Sequence, residues 1–499
     1  MSTTTRLDVH PSRPTVVLLV LCMSQLLLAI DVTIVAVANP TIGKALGFDD
    51  ASLQWTITAY ALTYGGFLLL GGRVADLFDR RRLFVIGIAG FTVASVVAAT
   101  AQSPFQLVSA RAAQGLCAAV ISPCTLSILA STFAEGPGRR RAYGLWAATG
   151  SVGGAVGFLM GGLLTSGFGW RSIFLINGPV GLAAVLCAQR WLPRNSQSAR
   201  RQALDLPGAV TITLGSGLII FGVSQAESVG WSHWTSFGPI VGGVAMVVAF
   251  CAIEHSARQP LLPFRVLRRR GSVALVPLVM IAVLSNATVY LTALYLQNVL
   301  GFSAGESGAA VLGLPLGFGI GVNISSWLVD RLGLRRQAVL GFVSIGVSCA
   351  WLARAGEHAW LPTSVLPGTF GVGLGLGITL VVLITTVTSG VDQHDQGIVA
   401  GVYGTSQQIG GAVGLAVLAS VAAAGGVRNA AGKLVRTVAE EADAIRTAFL
   451  VGAGIAAVTV IVVLLTLPRR IDDVDAAHQS LAHDAALSAI PGEMTIVEP

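Results

Sequence analysis

Long uncharged runs and short charged segments alternate along the whole chain. Such uncharged runs cover residues 83–110, 112–134, 142–170, 172–189, 206–226, 272–305, 307–329, 337–353, 359–391 and 447–468. A membrane-spanning helix needs about 20 apolar residues, so the longest runs must each contain two helices joined by a tight turn. The sequence QSP at 102–104 predicts such a turn, because proline interrupts helices.

Cuts at charged residues, prolines and glycine clusters divide the chain into fourteen predicted spans. They begin near residues 14, 51, 83, 106, 142, 171, 207, 235, 272, 306, 336, 360, 397 and 446. The first span is too long for a signal peptide, contains Asp31, and is not followed by a small-residue cleavage site. The pattern therefore predicts an all-α integral membrane protein with fourteen transmembrane helices.

The composition supports this class. The 499 residues are 54% hydrophobic and only 11% charged, with a mean hydropathy of +0.75. A soluble domain is about 25% charged. The six cysteines, at 22, 117, 124, 187, 251 and 349, all fall inside predicted spans. We therefore interpret them as apolar packing residues and predict neither a disulfide framework nor a metal site.

Basic residues lie mostly on one side of the predicted membrane. With the N-terminus inside, 23 of the 31 Lys and Arg residues fall on the cytoplasmic side and 7 on the opposite side. This asymmetry predicts a multi-pass protein of the cell membrane with both termini in the cytoplasm. The net charge of +7 then follows from topology and contact with membrane lipid, and it requires no nucleic-acid partner.

The sequence contains an internal repeat. GRVADLFDRRRLF at 72–84 aligns with SWLVDRLGLRRQA at 326–338, which pairs Asp76 with Asp330 at a separation of 254 residues. Duplicated halves are typical of transporters that bind substrate between them. The alternative is a chance match between two charge clusters at membrane boundaries.

The repeat predicts an organisation with two pseudo-symmetric six-helix bundles. The expected order is a cytoplasmic N-terminal tail (1–13), the first six-helix bundle (14–192), two additional transmembrane helices (193–256), a cytoplasmic linker (257–271), the second six-helix bundle (272–468) and a flexible cytoplasmic tail (469–499). Segment 425–446 is expected to be a long external loop, with or without a short surface helix.

Five motifs in order resemble the major facilitator superfamily, in particular its fourteen-span drug–proton antiporters. They are LAIDVTIVAVANPTI (28–42), GRVADLFDRRRLF (72–84), RAAQGLCAAVISP (111–123), GSVGGAVGFLMGGLL (150–164) and WRSIFLINGPVG (170–181). The chain departs from the family pattern at Ala36, Leu77, Asp79 and Phe158. Phe158 replaces a proline of the exporter motif, which leaves close helix packing through Gly153, Gly157, Gly161 and Gly162 but removes the expected kink.

Asp31 and Arg111 are the candidate proton-coupling residues. At 1.5 Å per residue, Asp31 lies roughly 12 Å and Arg111 roughly 8 Å below the outer end of their spans. A charge inside the bilayer is costly and marks function. We expect both to face one aqueous cavity, where Asp31 binds and releases a proton. Arg111 stays charged at any relevant pH, so it cannot carry the proton itself, and the resemblance implies that it tunes that site. The alternative is a permanent structural salt bridge.

Two further groups are candidates. Gly72, Asp76, Arg80, Arg81 and Asp330 are expected to form a cytoplasmic gate, because Asp76 can attract a helix N-terminus or an arginine of the other half. Simple anchoring of the arginines in the cytoplasm is the alternative. Polar or aromatic residues inside spans are expected to line a substrate cavity: Gln25, Tyr60, Gln114, Asn286, Tyr290 and Gln407.

These features predict a proton-coupled exporter of lipophilic drugs or antibiotics that works by alternating access. Its partners are then a small lipophilic substrate, protons and membrane lipid, and the proton gradient replaces a cofactor. The chain contains no phosphate-binding loop, no HExxH sequence and no nucleophile elbow, so we expect neither ATP use nor an enzyme. The alternatives are a proton-coupled exporter of one endogenous metabolite or lipid, a membrane enzyme, and a receptor that transports nothing.

Overall fold

The computed structural model describes residues 14–48, 50–53, 55–134, 136–193, 205–256, 270–302, 306–307, 310–357, 359–389, 391, 396–423, 427–428, 434–435 and 437–469. The predicted N-terminal tail, nearly all of the linker and the C-terminal tail beyond residue 469 lie outside this part of the chain.

The first half of the chain is helical. Its helices are α1 (Pro14–Leu46), α2 (Asp50–Leu53), α3 (Trp55–Leu77), α4 (Arg80–Ala99), α5 (Pro104–Thr132), α6 (Pro137–Phe168), α7 (Ser172–Leu175), α8 (Asn177–Trp191), α9 (Leu206–Val229) and α10 (Trp234–Ser256). The turn predicted at QSP is present, since Ser103 accepts a hydrogen bond from the backbone N–H of Gln106 and caps α5 ahead of Pro104.

The second half begins with a short 3₁₀ turn, Arg270–Ala274, and includes a π-helical turn at Tyr295–Val299. Its helices are α11 (Leu275–Leu294), α12 (Gly313–Leu352), α13 (Leu361–Ser364), α14 (Leu366–Thr388), α15 (Gln396–Ala423) and α16 (Val438–Thr466). Before α16, strands β1 (Val427–Arg428) and β2 (Leu434–Val435) pair antiparallel.

The predicted spans correspond to helices throughout the described chain. Helix α12 contains Gly333 at φ 76° and ψ 170°, which breaks it into two spans. With this break, and with α7 and α8 taken together as one segment, the described residues form fourteen helical segments, which is consistent with the fourteen predicted spans. Nine helices of the described part are long and apolar enough to cross a membrane by length and composition. The all-helical membrane fold is therefore confirmed.

The last helix starts earlier than predicted. Residues 438–446, expected to belong to an external loop, form the first turns of α16. Thr437 accepts from the backbone N–H of Glu440, and the Glu440 side chain accepts from the Thr437 N–H, so the pair forms a capping box. The charged residues that suggested a loop therefore belong to the first turns of a helix.

The two halves repeat the same helix pairs. In the first half α1 packs on α6 and α3 on α5; in the second, α11 packs on α15 and α12 on α14. Glycines allow these helices to approach closely. A Cβ added at Gly71 would lie 2.1 Å from the Ala119 carbonyl oxygen, and one at Gly317 would lie 2.0 Å from that of Phe370. The predicted pseudo-symmetry is confirmed by this repeated packing.

Helices α9 and α10 form a hairpin beside the two halves. Helix α9 contacts α3 of the first half and α15 of the second, and Phe221 of α9 stacks on Trp55 of α3 at a centroid distance of 5.7 Å. Most of α10 is exposed, including Val248 at 63%. An apolar helix exposed in this way suits contact with lipid. The exact division of the chain at residues 192 and 256 stays a prediction.

Candidate functional site

Asp31 and Arg111 form a buried ion pair. Helix α1 carries Asp31, which is 0% exposed, and α5 carries Arg111, which is 1% exposed. Arg111 Nη1 donates to Asp31 Oδ2 over 2.5 Å. The similar depths estimated from the sequence correspond to this direct contact between two helices.

Two amides hold the other carboxylate oxygen of Asp31. Gln114 Nε2 donates to Asp31 Oδ1 over 3.1 Å, and Asn177 Nδ2 donates to the same oxygen over 2.8 Å. Both amides also donate to Ser95 Oγ, over 2.7 and 3.2 Å. The carboxylate therefore accepts three hydrogen bonds from side chains of α5 and α8, and α4 supports the amides.

Arg111 has further partners on α3 and on its own helix, α5. Its Nε donates to the Thr56 carbonyl oxygen over 2.9 Å, and its Nη1 also donates to Gln114 Oε1 over 2.9 Å. The guanidinium lies over the ring of Tyr60, 4.5 Å from the ring centroid. We name the polar centre for the group of Asp31, Thr56, Tyr60, Ser95, Arg111, Gln114 and Asn177, which come from α1, α3, α4, α5 and α8.

The polar centre is closed to solvent in this conformation. The sequence-based expectation placed Asp31 in an aqueous cavity, but its side chain is 0% exposed and hydrogen bonded on both oxygens. Burying two charges is expensive unless their remaining hydrogen-bonding groups are satisfied. The network satisfies them, so the ion pair is stable only while five helices keep this arrangement. Such a network can respond to protonation of its one carboxylate.

A cavity of about 220 Å³ lies between the two halves. Three of the residues expected there, Gln25, Asn286 and Gln407, line it. Aromatic and apolar side chains form much of the remaining wall, among them Trp146, Phe318, Leu376, Leu380 and Tyr403.

The other three residues expected in the cavity lie elsewhere. Tyr60 and Gln114 belong to the polar centre, and Tyr290 packs against the hydrophobic core. A polar side chain inside an apolar helix marks a buried contact, but the sequence does not reveal which face of the helix carries it. Arg111 and Asp31 attract Gln114 because the ion pair has unsatisfied hydrogen-bonding capacity.

The two halves meet at the basic end of the bundle, by which we mean the end that carries Arg80, Arg81, Arg139, Arg140 and Arg335. Asp76 of α3 accepts hydrogen bonds from the backbone N–H groups of Gly397 and Ile398, over 2.9 and 2.8 Å. These residues open α15 of the other half, where the helix dipole favours a negative charge. Arg80 also donates to Asp76, over 3.1 Å.

A glycine and a second ion pair complete this contact. A Cβ added at Gly72 would lie 2.3 Å from the Gly397 carbonyl oxygen, so the backbones of the two halves touch there. Arg140 of α6 donates to Asp330 of α12 over 2.8 Å. The Asp76 side chain is 0% exposed, whereas that of Asp330 is 61% exposed.

Arg81 bonds within its own half. Its guanidinium donates to the carbonyl of Gln189 near the end of α8. Arg335, its repeat partner, donates to the carbonyl of Leu467 just after α16 over 2.6 Å. Each arginine thus ties the sixth helix of its half to the third. The contact of Arg81 with Gln189 lies within the first half, and a role of Arg81 in the gate stays a prediction.

The glycine motif fixes α1 against α6. Added Cβ atoms would lie 2.8 Å from Ala29 Cβ at Gly153, 2.0 Å from Thr33 Oγ1 at Gly157 and 3.0 Å from Val37 Cβ at Gly161. Gly162 has nothing within 4 Å of such an atom, so it takes no part in this contact. Helix α6 is continuous through position 158, and three of the four motif glycines hold the segment of α1 that carries Asp31.

Sequence reasoning missed Ser95, Asn177 and Trp146 as site residues. Asn177 stands in the motif WRSIFLINGPVG, where a lone amide in an apolar helix is the signal that could have found it. Ser95 gives no such signal, because a serine in a helix commonly bonds its own backbone, as Ser95 also does to Phe91. In the described part of the chain, no group of three His, Cys, Asp or Glu residues could hold a metal ion.

The chain is similar to a known family of membrane proteins and to proteins of antibiotic resistance and export. The family model of the Major Facilitator Superfamily matches residues 21–415. The puromycin resistance protein of Streptomyces alboniger is 39% identical over 411 residues, 81% of each chain. The cephamycin export protein of Amycolatopsis lactamdurans is 37% identical over 421 residues, 83% of this chain and 86% of that protein.

A third relative has a similar sequence, and one solved structure has a similar fold. The tetracenomycin C resistance and export protein of Streptomyces glaucescens is 31% identical over 449 residues, 88% of this chain and 83% of that protein. The crystal structure of the human organic anion transporter MFSD10 matches with a TM-score of 0.62 at 15% identity, covering 90% of this chain and 99% of that one. At this identity the likeness shows the fold alone.

Proposed function

The chain belongs to the Major Facilitator Superfamily and is a membrane transporter, not an enzyme, and we propose that it exports lipophilic drugs or antibiotics in exchange for protons by alternating access. The names of the relatives support the export of antibiotics: one is a puromycin resistance protein, another a cephamycin export protein. The proton gradient supplies the energy, and no cofactor takes part.

The observation that carries the proposal is the Asp31–Arg111 pair inside the polar centre. Asp31 is the one carboxylate of the polar centre, and among the described residues its charge is balanced by Arg111. A proton on Asp31 would cancel its charge, weaken all three hydrogen bonds that it accepts and leave Arg111 uncompensated. The five helices would then favour a different arrangement. Release of the proton on the other side of the membrane restores the pair and completes the cycle.

The contacts at the basic end support alternating access. Asp76 reaches α15 and Arg140 reaches Asp330 only when the two halves are close together at this end. In this proposal the basic end faces the cytoplasm, as do both termini, because cytoplasmic segments of membrane proteins are rich in Lys and Arg. In this proposal the structure is the conformation closed to the cytoplasm, and opening of the basic end must break these contacts.

The experiment uses protein in liposomes with the pH indicator pyranine trapped inside and an acidic lumen. Adding puromycin or tetracenomycin C outside should raise the lumen pH, because substrate enters as protons leave. Asp31→Asn should abolish this signal but keep the exchange of labelled for unlabelled substrate without a gradient. Asp443→Asn, which alters an exposed carboxylate of α16, is the matched control and should behave as the native protein.

The outcomes distinguish the alternatives. A normal pyranine signal from Asp31→Asn refutes proton coupling through this residue. Loss of gradient-free exchange and of folded protein together favours the permanent salt bridge. Arg111→Lys should weaken coupling more than expression, since lysine keeps the charge but not the several simultaneous hydrogen bonds. A response to only one compound of a broad panel favours the exporter of a single metabolite.

A further inference from the structure

The described wall of the cavity between the two halves, which we call the central cavity, carries no formal charge. Among the described residues that line it, none is Asp, Glu, Lys, Arg or His. Asp31, which was expected to face an aqueous cavity, lies in the polar centre and is 0% exposed. A charged ligand in this cavity would leave water without meeting an opposite charge, and such a transfer is unfavourable.

The polar groups of the wall are neutral and able to hydrogen bond. Gln25, Asn286 and Gln407 each bring an amide, which both donates and accepts. Trp146 is 4% exposed, and its Nε1 has no hydrogen-bond acceptor among the described residues. This N–H is itself buried, so a ligand oxygen can bond it only when the ring turns toward the cavity, and such a bond is favoured because a buried donor without an acceptor is costly.

The aromatic side chains do not replace a charge. Trp146, Phe318 and Tyr403 could attract a cation through their ring faces. That attraction is weaker than the hydration a cation loses in a cavity without a carboxylate. The wall therefore matches an uncharged, lipophilic compound with carbonyl or ether oxygens.

Resting on the function proposed above, we infer that the substrate is an uncharged lipophilic compound with hydrogen-bond acceptors, recognised by Trp146 and the amides of Gln25, Asn286 and Gln407. Exchange of such a compound for a proton moves net charge across the membrane. Transport is then driven by the membrane potential as well as by the pH gradient. A monovalent cation exchanged for one proton would move no net charge.

Nile red and ethidium are suitable probes, because both are flat aromatic dyes but Nile red is neutral with a carbonyl group and ethidium is a permanent cation. In the pyranine liposomes, Nile red should release protons and ethidium should not. A potassium diffusion potential that makes the lumen positive drives protons outward. It should therefore accelerate the Nile red signal when there is no initial pH gradient.

Two substitutions test the recognition. Trp146→Phe keeps the ring and removes the N–H, and it should raise the KM for Nile red roughly fivefold, the loss expected for one neutral hydrogen bond, with kcat unchanged. Trp360→Phe, at a tryptophan that is 69% exposed, is the control. Gln25→Glu should allow ethidium transport by adding the missing carboxylate, whereas Gln102→Glu at an exposed site should not.

The results separate the two proposals. The inference is overturned if the native protein transports ethidium at the rate of Nile red, or if the KM for Nile red is unchanged in Trp146→Phe. Either result leaves the proposal of drug export intact. Proton release by puromycin or tetracenomycin C but not by Nile red also overturns it. If no compound of either set moves protons, the proposed function itself fails.

Discussion

The two halves of the molecule share their packing but differ at their centres. In both, a row of glycines brings one helix pair together, Gly153 and Gly157 against α1, Gly410 and Gly414 against α11. The first half encloses an ion pair between α1 and α5. In the described part of the second half, residues 272–468, the buried polar side chains are all uncharged.

The buried amide Gln337 illustrates the second centre. Its Nε2 donates to Ser325 Oγ over 2.6 Å and to the Ile378 carbonyl oxygen over 3.1 Å. These bonds join α12 to α14 without any titratable group. The two halves therefore share the helix packing, whereas a buried ion pair with a carboxylate occurs, among the described residues, only in the first half, and in the function we propose this carboxylate exchanges the proton. A feature present in both halves is therefore structural, and one confined to a single half is a candidate for chemistry.

The largest effect is expected when the shared packing is broken. Gly414→Ala puts a Cβ 2.4 Å from Val283 Cα, and Gly157→Ala puts one 2.0 Å from Thr33 Oγ1 and 2.9 Å from the Ile30 carbonyl oxygen. Overpacking typically costs about 1–3 kcal/mol, and Gly414→Ala should cost more because backbone cannot rotate away. Both variants should show a lower melting temperature in detergent. Gly162→Ala, with open space around it, is the control. Equal stability of all three would refute the shared packing.

An intermediate effect should separate the two centres. Asn177→Ala and Gln337→Ala each remove a buried amide and should lower stability by about 1–3 kcal/mol. Only Asn177 contacts Asp31, so Asn177→Ala should also slow proton-driven transport about tenfold, a loss of about 1.4 kcal/mol. Gln337→Ala should change that rate less than about twofold at equal amounts of folded protein. A similar loss of transport in both would mean that coupling is spread over the two halves.

The smallest effects are expected at the basic end, where the repeat is asymmetric in burial. Asp76→Asn removes a charge that two backbone N–H groups and Arg80 share in a site that is 0% exposed. Asp330→Asn breaks a pair whose carboxylate is 61% exposed, and such pairs contribute about 0–1 kcal/mol. We therefore expect Asp76→Asn to increase the population of the conformation with an open basic end more than Asp330→Asn does.

Electron–electron distances between spin labels at positions 78 and 331, one in each half, measure this opening. The six native cysteines are replaced first, and the labelled protein without further change is the control. A larger shift in Asp330→Asn than in Asp76→Asn would contradict the difference in burial.

Most of the fold could be predicted from the sequence, because apolar runs of fixed length report spans directly. The start of α16 could not, since Glu440 and Glu441 look like a loop until the capping box with Thr437 is recognised. The proximity of Asp31 to Arg111 was expected from matching depths, although a direct salt bridge was only the alternative to a shared aqueous cavity, and the contact of Asp76 with a helix N-terminus was expected from its charge.

The members of the polar centre other than the ion pair were harder to place. A polar residue in an apolar helix must be satisfied somewhere, but its partner depends on helix rotation, which the hydrophobic pattern of a membrane helix barely encodes. Gln114 was therefore expected at the cavity, and Asn177 was not singled out at all. The burial of Asp31 away from the cavity could not be predicted for the same reason, since it also depends on helix rotation.

The contact of Gly72 with Gly397 has a consequence for how proteins of this kind diverge. At the basic end the two halves pack backbone against backbone, and a single methyl group at Gly72 would lie 2.3 Å from the Gly397 carbonyl oxygen. Neither glycine has a side chain that cargo could touch. In the function we propose, side chains that line the cavity can therefore be substituted without altering this backbone contact between the two halves.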